Sequence, residues 1–105
     1  MKPHKNFASR QESAAEQRLA EALLTLQSVE ELRAFLRDLC TPAELQAMAD
    51  RWAVVRDLQR GLPYREIHGH TGVSVTTIGR VARYLAQGNG GYAMAAKRLA
   101  ATAHG

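Results

Sequence analysis

A chain of 105 residues with a net charge of +4 and 46% hydrophobic residues is sized for one core, so residues 1–105 are expected to form a single domain. No apolar run approaches the roughly 20 residues of a membrane span, and the opening MKPHKNFASRQES has no apolar stretch, so neither membrane insertion nor a secretory signal is expected. One cysteine, Cys40, excludes an internal disulfide and points to a reducing, cytoplasmic setting.

Taken in chain order, the signals are helical. Ala15, Leu19, Ala22, Leu23 and Leu26 recur at helical spacing after Ser9-Arg10-Gln11-Glu12, which predicts a capping box at Ser9. Ser28-Val29-Glu30-Glu31 predicts a second box, because a serine oxygen can accept from first-turn amides while Glu31 reaches back. It leads into Val29, Leu32, Phe35, Leu36 and Leu39. Thr41-Pro42-Ala43-Glu44 marks a third start, with a capping residue, proline at the first helical position and glutamate at the third. The stripe Leu45, Met48, Ala49, Trp52, Val55 and Leu58 is expected to be core, with Gly61 as the stop. Short helices follow over Tyr64–His70, Ser74–Leu85 and Tyr92–Ala101, the last two separated by QGNGG at 87–91. No alternating β-branched run suggests a strand. The expected fold is therefore all-α, with about six helices, and residues 1–10 and 102–105 are expected to fray.

The charge is unevenly placed. All ten acidic residues lie within residues 1–66, matched there by ten of the fourteen basic ones. Arg80, Arg83, Lys97 and Arg98 carry the excess in a stretch without a single acid, a field that suits a polyanion.

That stretch contains GVSVTTIGRVARYL. With Gly72 at a turn, Ile67, Val73, Ile78 and Val81 fall where two short helices crossing steeply bury their inner faces. Glycine suits the left-handed backbone of such a corner, and Ser74 is placed to cap the second helix through the amides near Thr76 and Thr77. With Ile78, Val81 and Leu85 inward, the outer face carries Val75, Thr76, Gly79, Arg80 and Arg83. Small residues at the tip and guanidinium groups behind it are what a helix entering a major groove requires. The predicted helix-turn-helix spans about 64–85, and its candidate DNA-binding residues are Tyr64, Arg65, Ser74, Val75, Thr76, Thr77, Gly79, Arg80 and Arg83. His68 stands where this motif usually has a small residue; it either tilts the first helix or lies at its edge.

TPAELQAMADRWAVVRDLQRG and YREIHGHTGVSVTTIGRVARYL together resemble the Trp repressor superfamily, over roughly residues 28–100. The added GNGGY is similar to its YerC/YecD-type, Trp-repressor-related branch. The resemblance implies a homodimer whose N-terminal helices interlock, with two reading heads set one turn of double-stranded DNA apart, and a bacterial repressor that binds an operator. The Leu19, Leu23 and Leu26 stripe, with little nearby to cover it, agrees with a dimer. The resemblance also implies an effector site from Thr41, Arg51, Thr77 and Arg80, since tryptophan in that family lies among the matching residues. Here Val81 replaces a glycine and Tyr84 a serine at the indole's place. Tryptophan is therefore not expected as corepressor; a smaller amino acid, or no effector, is.

Other chemistry is thin. His68 and His70 point about 200° apart on a helix, so no shared metal is expected. Cys40 has no visible activating base and is expected to be a buried, inert thiol. GNGG lacks the Lys-Ser/Thr of a phosphate loop. No cofactor and no enzymatic activity are expected. The alternative function is a protein-interaction module in which the helix-turn-helix docks a transcription or replication partner.

Overall fold

The computed structural model describes the backbone of residues 5–104 and the side chains of residues 11–102. Among these residues every regular element is helical: α1 (Lys5–Leu24), α2 (Val29–Leu39), α3 (Pro42–Ala53), α4 (Val55–Gln59), α5 (Tyr64–Thr71), α6 (Val75–Gln87) and α7 (Gly91–His104). Only Val54 separates α3 from α4, so counting that pair as one broken helix gives the six that the sequence predicts. The helices fall into two compact units, divided between Thr41 and Pro42.

The first unit is α1 and α2. α1 starts upstream of Ser9, so the helix does not begin at the box expected there, and the Ser9 side chain itself lies outside the described residues. No glycine or proline interrupts residues 5–24, and the segment is rich in Ala, Glu and Gln, so helix propensity carries the element past the serine. The second box does form. Ser28 Oγ accepts from the Glu31 amide at 3.1 Å, and the Glu31 carboxylate accepts from the Gln27 amide at 2.8 Å. α1 begins at residue 5 and α7 ends at residue 104; residues 1–4 and 105 lie outside the described residues. No residue of α2 is buried.

The second unit holds the dry core. Val54, Val55, Ile67, Ile78 and Val81 are at most 1% exposed, Val73 joins them, and Leu58, Leu62, Leu85, Tyr92 and Ala96 pack around the cluster. Burying one such aliphatic side chain stabilises by roughly 1.5–3 kcal/mol. The core therefore sits against the two helices that flank Gly72, and these set the position of the outer face of α6.

The expected core stripe is only half right. Val55 is buried and Leu58 half-buried, but Met48 and Trp52 are exposed and no residue of α3 is buried. The cause is the break at Val54. Consecutive side chains on a regular helix diverge by about 100°, and the interruption brings both Val54 and Val55 into the core while turning the α3 stripe off it. Trp52 stacks instead on Tyr92 of α7, with ring centroids 6.4 Å apart and planes at 29°. Cys40 is half-buried rather than buried; its amide donates to the Leu36 carbonyl and closes α2.

Gly72 ends α5 at φ 76°, the left-handed conformation expected of the corner. A Cβ added there meets nothing within 4 Å, so the cost of a side chain is conformational alone. Gly72→Ala is expected to destabilise the protein by about 1–2 kcal/mol, and Gly72→Asn by less, as measured by chemical denaturation. An unchanged midpoint for the alanine variant would show that the corner relaxes to negative φ.

Candidate nucleic-acid interface

Two histidines brace the corner. His68 Nδ1 donates to the Val73 carbonyl at 2.8 Å, bridging from α5 across the turn. A carbonyl can only accept, so Nδ1 carries the proton. His68 thus supplies a hydrogen bond where the motif usually has a small apolar residue. His70 Nε2 lies 2.5 Å from Oδ2 of Asp57, the one buried charged side chain among the described residues, and ties α5 to α4. The two histidines serve different partners, as their divergence on one helix requires. No group of three potential metal ligands converges among the described residues. Thr71 completes the bracing: its hydroxyl donates to the Ile67 carbonyl at 2.6 Å and accepts from the Val73 amide at 3.1 Å.

α6 begins with a side-chain cap. Ser74 Oγ accepts from the Thr77 amide at 3.1 Å and donates to the Thr77 hydroxyl at 3.0 Å. Such a cap stabilises by about 1 kcal/mol. It also fixes the tip: Thr77 is half-buried beneath it, while Ser74, Val75 and Thr76 face outward, Val75 being 51% exposed. Ile78 and Val81 point into the core from the opposite side.

The remaining candidates lie on α5 and further along α6. Arg80 and Arg83 are exposed further along α6, and Tyr64 and Arg65 are exposed at the start of α5. Gly79 is half-buried, and a Cβ built on it lies 3.8 Å from the Tyr64 ring, an ordinary contact. Tyr64 thus packs across α6 at its glycine, which sets where the first helix crosses the second. Arg80 Cζ stands 4.8 Å from the Tyr84 ring centroid and Arg83 Cζ 5.7 Å from it, both within cation–π range. The sequence reading did not find this arrangement, although the i, i+4 spacing of Arg80 and Tyr84 carried the signal.

The residues implied for an effector come from both units. Thr41 is exposed at the end of the first unit, and Arg51 is half-buried on α3 of the second. A cavity of about 360 Å³ beside Arg80 is lined by Tyr84, Gly88, Asn89, Gly91 and Tyr92, and neither Arg51 nor Thr77 lines it. Val81 lies in the core, 1% exposed.

A capped helix laid over an apolar core across a glycine corner, with its outer face cationic, defines a helix-turn-helix protein of the all-α class. The family model described as Trp repressor protein matches residues 14–100, and the chain belongs to that family. It is 43% identical to the uncharacterized protein YerC of Bacillus subtilis (strain 168) over 84 residues, 80% of this chain and 81% of that one. A TrpR like protein from Eubacterium eligens ATCC 27750 superposes with a TM-score of 0.78 at 36% identity, covering 83% of this chain and 90% of the other. A second solved structure, from Staphylococcus aureus, gives a TM-score of 0.77 at 40% identity over 82% and 86% of the two chains. Membership supports a DNA-binding regulator at the level of the family, and the family is regulatory rather than enzymatic. No described helix is long and apolar enough to cross a membrane.

Proposed function

We propose that the chain is a sequence-specific, DNA-binding transcription regulator that represses by occupying an operator as a homodimer. The observation that carries this reading is the outer face of α6. Arg80 and Arg83 are exposed there on a helix held rigidly from behind by Ile78 and Val81, and no acid lies beyond residue 66. The tip formed by Ser74, Val75 and Thr76 enters the major groove, with Thr77 and Gly79 behind it. Arg80 and Arg83 reach phosphates or guanine edges, and Tyr64 and Arg65 contact the backbone. The dimer is supported by apolar side chains that the first unit leaves open: Leu24 is 85% exposed and Val29 69%. A second copy covers them and sets the spacing of two half-sites. Sedimentation at micromolar concentration is expected to show the dimer; a compact monomer alone would refute it.

Tryptophan is not required in this reading. The Val81 side chain occupies the core where an indole would need an open slot, and overpacking such a position costs about 1–3 kcal/mol. The experiment is selection of bound genomic fragments followed by a salt titration of the selected site, with and without L-tryptophan. Expected are a preferred sequence, affinity that falls steeply with salt, and no change on adding the amino acid. Equal affinity for all fragments would exclude a specific regulator. No duplex affinity even at low salt, together with a protein captured in pull-downs, would favour an interaction module.

A further inference from the structure

The ring of Tyr84 lies against two cations of one helix face at once. Arg80 is one turn before it and Arg83 is its chain neighbour, with guanidinium carbons 4.8 and 5.7 Å from the ring centroid. The ring is not part of the buried core: Tyr84 is 42% exposed, whereas Ile78 and Val81 of the same helix are buried. Its backbone is held firmly. The Tyr84 carbonyl accepts the Gly88 amide at 2.8 Å at the end of α6, and a Cβ on Gly88 would fall 2.3 Å from that oxygen. Glycine is therefore required for the chain to close so tightly behind the tyrosine. An exposed aromatic ring on an anchored backbone, with two arginines beside it, calls for a purpose other than packing.

A free arginine on a helix surface samples many rotamers, and ordering it on a ligand has an entropic cost. A ring that already holds the guanidinium removes part of that cost before binding. It also sets an attractive π face beside two like charges. We infer that Tyr84 is a positioning residue which holds the Arg80 and Arg83 guanidinium groups in readiness for a polyanionic DNA backbone or base edge. This rests on the proposed DNA-binding function and adds to it a residue that works through the arginines rather than on the DNA.

The test compares wild type with Tyr84→Phe and Tyr84→Ser, using the intact protein and the selected DNA site. In the free protein, the arginine Nε–Hε resonances are expected to carry ring-current shifts in wild type and Tyr84→Phe that vanish in Tyr84→Ser. With DNA, Tyr84→Ser is expected to bind roughly 5- to 30-fold more weakly, because two rotamer-rich side chains must then be ordered on binding. Tyr84→Phe stays within about threefold of wild type, because the ring and not the hydroxyl acts. The salt slope is unchanged in both, since no cation is removed. An equal loss in Tyr84→Phe and Tyr84→Ser would mean that the hydroxyl itself contacts DNA, which overturns the positioning role. Salt-dependent binding by wild type with an unaffected serine variant also overturns it while leaving the DNA-binding function standing. Absence of duplex binding by wild type removes both.

Discussion

Ile78→Ala is expected to destabilise the protein by about 2–5 kcal/mol, the range for truncating a large aliphatic side chain in a packed core. Ile78 is fully buried on α6 and belongs to the same cluster as Ile67, Val73 and Val81, so the cavity opens between the two helices of the corner. Against the 5–15 kcal/mol that holds a typical domain together, the loss is large. It should lower the melting midpoint on the order of 10–20 °C. Operator binding falls with it, because the outward face of α6 is positioned only by its inward face. Val75→Ala supplies the control. Its side chain is half exposed on the same helix, and the change is expected to stay within about 0.5 kcal/mol. Circular dichroism melts of the two variants decide the matter, and a comparable effect of both would mean that α6 does not dock through Ile78.

Removing both arginines is the second large effect. Arg80→Ala and Arg83→Ala are each expected to leave the fold intact, since both side chains are exposed, and each weakens DNA binding. A lost phosphate contact flattens the salt slope by about one unit, and a lost bidentate guanine contact costs roughly 1–3 kcal/mol and relaxes specificity at one base. The double variant should flatten the slope by about two units if both contacts are to phosphate. Because the two guanidinium groups share the Tyr84 ring, their effects should not add simply, and residues in one such group commonly couple by about 0.5–3 kcal/mol. Fluorescence anisotropy over a range of salt concentrations measures all three quantities. Wild-type binding by both single variants would place the DNA on another face.

Much of this site is local chemistry and is legible without coordinates. The spacing of Ile67, Gly72, Val73, Ile78 and Val81 predicts two crossing helices, and those side chains do form the core around a left-handed Gly72. Ser28 and Ser74 cap the helices that follow them, because a cap needs only a side-chain oxygen three residues from an amide. Ser9 shows the limit of that rule. A capping pattern marks a possible start, but a helix-forming segment with no breaker before it continues through.

What the sequence by itself determined was the all-helical class, the corner at Gly72, the inward face of α6 and the cationic, acid-free stretch beyond residue 66. Each follows from period, capping and charge within a dozen residues. The tertiary structure alone decided which apolar stripes the chain covers for itself. Leu45, Met48, Ala49 and Trp52 have the same helical period as the buried residues, yet the break at Val54 turns them off the core, and nothing in Val54 resembles a helix breaker. It alone also decided the partners of side chains that meet only after folding. Asp57 and His70 stand thirteen residues apart, and His68 reaches Val73 only because the corner closes. Periodicity records which face of a helix is apolar. Only the packing of one helix against another determines what that face meets.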